Sequence, residues 1–153
     1  MKLLKNRLRE IYKDNAVVFD PVDIFEIKKT TIALMKQGLP KLPNDYAELL
    51  TLTDGLSWNG LVFFSIKEHQ ADEEFSFASF EKISVSFKDY PLLKGYLIVG
   101  YAPDELIGYH PATNEYHILA RYDYRILLRL PRFYDVFFRY TSMVFGEPKE
   151  EDL

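Results

Sequence analysis

The sequence predicts an α+β domain with one antiparallel or mixed sheet of about four to six strands, flanked by N-terminal helices and a C-terminal helix. Three observations carry that expectation. The 153 residues are 48% apolar and 16% aromatic, which is enough material for one core in one domain. Eleven Tyr and twelve Phe stand against one Trp, and such rings pack well across the pleat of a half-buried sheet. The apolar pattern has helical spacing towards both ends and strand-like runs between them.

Each element follows in order. In residues 2–13, Leu3, Leu4, Leu8, Ile11 and Tyr12 recur at helical spacing with Lys and Arg between them, an amphipathic helix. Pro21 suits the entry of a second helix whose apolar positions are Ile24, Phe25, Ile27, Ile32, Leu34 and Met35, closed by Gly38 and Pro40. Pro43 suits the first turn of a third, with Tyr46, Leu49, Leu50 and Thr53 on one face and Gly55 ending it. Asn59-Gly60 is a turn signal, because both residues tolerate positive φ, and LVFFSI (61–66) after it reads as a buried strand.

The stretch at 67–77 is polar and acidic, a surface loop or a loose helical turn, and 79–90 is a helix or an irregular segment. GYLIVGYA (95–102) reads as a central strand. Residues 105–119 read as a hairpin turning at PATN, with Asn114 suited to the left-handed position. One more strand is expected in 121–129. Residues 131–145 return to helical spacing through Phe133, Val136, Phe137, Tyr140 and Val144, and Gly146 and Pro148 stop them. The domain is thus expected to span 1–146, with 147–153 a mobile acidic tail.

Charge and composition narrow the function. The net charge of −4 is unevenly spread: residues 1–40 carry eight Lys/Arg against five Asp/Glu, residues 41–110 five against eleven, and residues 111–153 six against seven. No basic stripe is present, so direct nucleic-acid binding is not expected, whereas the acidic centre suits a basic protein partner. The absence of cysteine excludes disulfides, thiolate nucleophiles and thiolate metal sites. The first residues, MKLLKNRLREIYKD, lack the apolar run of a signal peptide, and no stretch of about 18 apolar residues occurs, so a cytoplasmic protein away from the membrane is expected.

Catalytic constellations are sparse. No Gly-rich phosphate loop, nucleophile elbow or HExxH motif is present. His110, Glu115 and His117 share one hairpin face, but without further ligands they read as exposed strand histidines, and neither metal nor cofactor is expected. The carboxylates Asp72, Glu73, Glu74, Asp104 and Glu105 fall in polar loops, where solvated charge is the ordinary outcome. The sharper reading makes Glu68, Asp72, Glu73, Glu74, Asp104 and Glu105 a docking patch for a basic partner. Trp58, Gly55 and Gly60 are read as structural, the indole covering a junction of helix, turn and strand with its N–H bonded to a nearby carbonyl.

LPNDYAELLTLTDGLSWNGLVFFS, then GYLIVGYAPDELIGYHPATNEYHIL and a C-terminal aromatic helix, resemble the SUKH superfamily of bacterial toxin-immunity proteins and fungal regulators of cell-wall glucan synthesis. The resemblance covers residues 40–145. It rests on Leu-Pro-x-x-Tyr at 42–46, the Gly and Trp-Asn-Gly turn at 55–60, and Tyr-x-Pro-x-Thr-x-x-Tyr at 109–116. Asn114 stands where such hairpins commonly carry Gly, a tolerable exchange at a left-handed position. The resemblance implies a non-enzymatic α+β domain that binds another protein. That partner is a toxin, frequently a nuclease, in the immunity reading, and a cellular protein in the regulatory or scaffold reading.

Overall fold

The computed structural model describes residues 2–70, 76–77 and 79–148. Helix α1 (Lys2–Lys13), strand β1 (Val17–Val18) and helices α2 (Ile24–Lys36) and α3 (Asn44–Leu50) come first. Strands β2 (Leu56–Trp58), β3 (Leu61–Phe63), β4 (His69–Gln70) and β5 (Ser76–Phe77) lead to helix α4 (Phe80–Phe87) and a 3-10 turn (Pro91–Leu93). Strands β6 (Leu97–Ala102), β7 (Glu105–His110), β8 (Glu115–Ala120) and β9 (Ile126–Leu130) then precede helix α5 (Phe133–Phe145).

Seven strands form one antiparallel sheet in the order β1-β2-β3-β6-β7-β8-β9, and β4 pairs with β5 alone. The class is α+β, with more strands than expected. The additions to the sheet are β1, which forms its edge, and β2, which lies between β1 and β3: Val17 and Val18 pair with Ser57 and Leu56. The stretch read as a turn at Trp58 is therefore the first arm of a tight hairpin, with Trp58 opposite Leu61 and Asn59 and Gly60 at φ 49° and 81°. Helix α3 stops at Leu50, before Gly55. Gly55 instead lies at φ 77° so close to the next strand that a Cβ would stand 2.7 Å from the Phe63 carbonyl oxygen.

The core gathers around Tyr46, which is wholly buried and donates its hydroxyl to the carbonyls of Phe64 and Val99 at 2.5 and 3.2 Å. Burial pushes that phenol well above its ordinary pKa. Phe133 meets Tyr46 edge-on at 5.2 Å and Phe63 at 5.1 Å, which seats α5 on the sheet beside α3. Asp45 ties the same elements through polar contacts, accepting from the Tyr116 hydroxyl at 2.6 Å and the Phe133 backbone N–H at 2.7 Å.

One buried charge joins the first helix to the last. Arg7 lies on the inner face of α1, only 3% exposed, where the alternating pattern placed solvent-facing cations. Its guanidinium donates to Thr141 Oγ1 and to the Gly146 carbonyl, both at 2.8 Å, and lies over the Phe138 ring. The positive group thus satisfies the carbonyl end of α5.

Candidate functional site

Helix α2 has two apolar faces. Ile27, Thr30 and Leu34 face the interior. Ile24, Phe25, Ile32 and Met35, expected among its packing residues, are instead exposed, Phe25 by 73%. At 3.6 residues per turn these four lie on one side of the helix, with Lys28 among them. Asp23 starts the helix by accepting from the Phe25 N–H at 2.7 Å, so the stripe is carried on a capped, regular element. An exposed apolar stripe of this kind marks a contact surface more often than a scattered residue does.

Three members of the expected acidic docking patch, Glu68, Asp104 and Glu105, lie among the described residues. Gly60 approaches Pro103, which sets Asp104 and Glu105 at the beginning of β3, whereas Glu68 follows its far end. Glu68 pairs with Lys82 at 3.4 Å on the surface. Glu105 is half-buried and accepts the Tyr140 hydroxyl at 2.9 Å, and burial pushes that phenol upward. Asp104 is exposed at φ 61°, its carbonyl holding the Arg121 N–H. Asp72, Glu73 and Glu74 lie outside the described residues.

Beside Asp104 and Glu105, Trp58, Pro103, Tyr140, Met143 and Val144 line a groove of about 310 Å³. Trp58 itself is 4% exposed and stacks on Phe145 at 5.8 Å. Its indole N–H reaches the Asp14 carboxylate at 3.0 Å rather than a carbonyl, because the end of α1 meets the hairpin there.

The histidines depart from the exposed reading. His110 and Glu115 are cross-strand partners and His117 faces Gly108, so all three do share a face, but His117 is only 3% exposed. Its Nε2–H donates to Glu115 Oε1 at 2.8 Å, since a carboxylate only accepts, and Nδ1 shares a hydrogen bond with the Tyr96 hydroxyl at 2.5 Å. Both ring nitrogens are therefore occupied. The same bond holds the Glu115 carboxyl below its ordinary range, and burial raises the Tyr96 phenol. Gly108 is what admits Tyr96: a Cβ there would stand 2.9 Å from its ring.

A further polar cluster was not foreseen. Asp54, 1% exposed, accepts from the N–H groups of Ile66 and Lys67 at 2.6 and 3.1 Å and contacts His69 Nε2 at 2.7 Å. Phe19 stacks on the His69 ring at 4.0 Å. These bonds hold the chain that leaves β3 and anchor β4, the partner of β5. Asp54 directs its lone pairs inward to backbone, as a structural carboxylate does.

No protein-family model matches the chain, and no curated protein matches it. Fold and surface together define an α+β domain with a single seven-stranded sheet and an apolar stripe on its second helix. Among the described residues, no helix is long and apolar enough to cross a membrane.

Proposed function

We propose that this chain is a non-enzymatic protein-binding domain, and specifically an immunity protein that neutralises a cognate toxin. The observation that carries the binding role is the exposed stripe Ile24, Phe25, Ile32 and Met35. The core closes without these side chains, so their apolar area is available to a partner. The buried polar groups support the same reading, because Asp45, Asp54 and His117 each hold backbone or a neighbouring side chain. Immunity, as opposed to another binding role, rests on the resemblance of residues 40–145 to the SUKH superfamily. The acidic residues Glu68, Asp72, Glu73, Glu74, Asp104 and Glu105 are assigned to encounter with a basic toxin surface, where charge raises the association rate.

The experiment uses two baits in native host cells, the parent and a Phe25→Glu, Ile32→Glu variant. The expected partner is retained by the parent and lost from the variant, arrests growth when expressed alone, and is tolerated when the chain is co-expressed. A retained partner that is harmless alone overturns immunity. Equal retention by both baits removes α2 from the interface.

A further inference from the structure

The turn after α2, the end of α4, the 3-10 turn and the start of β6 enclose a cleft of about 750 Å³. That volume lies within the roughly 300–1,000 Å³ usual for small-molecule sites. Its walls are apolar where Leu39, Phe87, Tyr90 and Ile98 contribute. Its charge is positive: Lys41, Lys88 and Lys94 line it against a single carboxylate, Asp89.

Ser84 is among its lining residues and is 3% exposed, its Oγ covered by the surrounding atoms. Its Oγ is, among the described residues, the one buried side-chain polar atom without a hydrogen-bond partner. Native interiors rarely leave such a group unpaired, and an orphaned hydroxyl calls for a missing acceptor or donor. Tyr96 also lines the cleft and connects it to His117 and Glu115.

We propose that this cleft binds a small organic anion, an apolar or aromatic body bearing a carboxylate, sulfonate or phosphate group. The body packs between the Leu39 loop and the Phe87, Tyr90 side. The charged group sits among the lysines, and Ser84 supplies a hydroxyl that the fold itself does not use. A neutral apolar ligand would leave the lysines uncompensated, and a fully polar anion would leave the walls unfilled. The inference does not depend on the protein-binding reading, since the cleft shares no lining residue with the α2 stripe.

The test is a fluorescence titration of the full chain with anilinonaphthalene sulfonate, an anion with an aromatic body. Saturable one-to-one binding is expected. Reversing two of the three lysines, Lys88→Glu with Lys94→Glu, should weaken it about fivefold or more at low salt. Ser84→Ala should weaken it too while leaving the melting temperature unchanged or raised, because the lost hydroxyl had no partner. Neutral phenylnaphthylamine should bind more weakly than the sulfonate. The Phe25→Glu, Ile32→Glu variant should bind the dye as the parent does.

Any of four results overturns the proposal: no saturable binding, a smaller effect of lysine reversal, a neutral analogue that binds as tightly, or loss of the dye in the α2 variant. The last would place the dye on the stripe. Should the lysine variant fail to fold, Ser84→Ala decides: parental affinity in that protein sinks the site.

Discussion

Helices α2 and α5 are each thirteen residues long and rich in large apolar side chains, yet they stand differently in the molecule. Helix α5 buries Phe133, Val136, Phe137 and Phe138 against α3 and the sheet, and Arg7 satisfies its carbonyl end. Helix α2 buries only Ile27 and Leu34 among its large apolar residues and turns Ile24, Phe25, Ile32 and Met35 outward. Apolar periodicity therefore identifies a helix without identifying its inner face. Where two faces are apolar, the one with room beneath it becomes core, and the other is left for something outside the fold.

That contrast can be broken most severely in α5. Phe137→Ala should destabilise by about 3–5 kcal/mol in chemical denaturation, whereas Phe25→Ala should stay within about 0.5 kcal/mol. Equal effects would mean that α2 packs inward as α5 does. Trp58→Ala is expected to lose about 3–5 kcal/mol as well, since its ring is covered by Phe145. Melting midpoints equal to the parent's would remove the indole from the core.

Asp45→Ala should cost about 1–3 kcal/mol, because it strands the Tyr116 hydroxyl and the Phe133 N–H where α5 begins. No loss on denaturation would show that α5 is held by its rings alone.

Smaller still is the acid dependence of Glu115. Its folded pKa is lowered chiefly by the His117 hydrogen bond, so its contribution is present above the unfolded value and lost as pH falls through the folded one. Melting temperatures followed from about pH 7 to about pH 3 should thus fall less steeply in Glu115→Gln. A parental slope would detach the carboxylate from stability.

The least effect on the fold is expected from reversing Asp72, Glu73 and Glu74 to Lys. Stability should hold while association with the partner slows and its salt dependence flattens. Stopped-flow rates and salt slopes equal to the parent's would leave the α2 stripe as the whole of the interface.

The long elements were legible because their patterns are long. Helices at 2–13 and 133–145 and the hairpin at 105–120 carry several repeats of their period, and Asn114 takes the left-handed φ of 53° expected of it. Strands β1 and β2 were not legible, since two or three residues cannot display an alternation. Helix α4 was ambiguous because Ile83 and Val85 favour strands, and only the Ser79 cap, which accepts from the Lys82 N–H, argues otherwise. The α2 stripe shows in the sequence as apolar residues, which periodicity alone does not assign to an inner or an outer face. The Asp54–His69 cluster depends on chain segments brought together by the fold, and no local pattern announces it. For His117 a signal was present: Gly108 opposite it left room for the ring of Tyr96.

Arg7 and Thr141 are separated by 134 residues, so their bond makes the two ends of the chain depend on each other. Without α5 the Arg7 guanidinium keeps only Glu10, its partner on the same helix, beside Leu4 and Ile11, which favours leaving that face in water. Burial of α1 is thus coupled to the presence of Phe138 and the Gly146 carbonyl. The cation acts as a latch between the two ends: removing either helix leaves polar groups of the other without these partners.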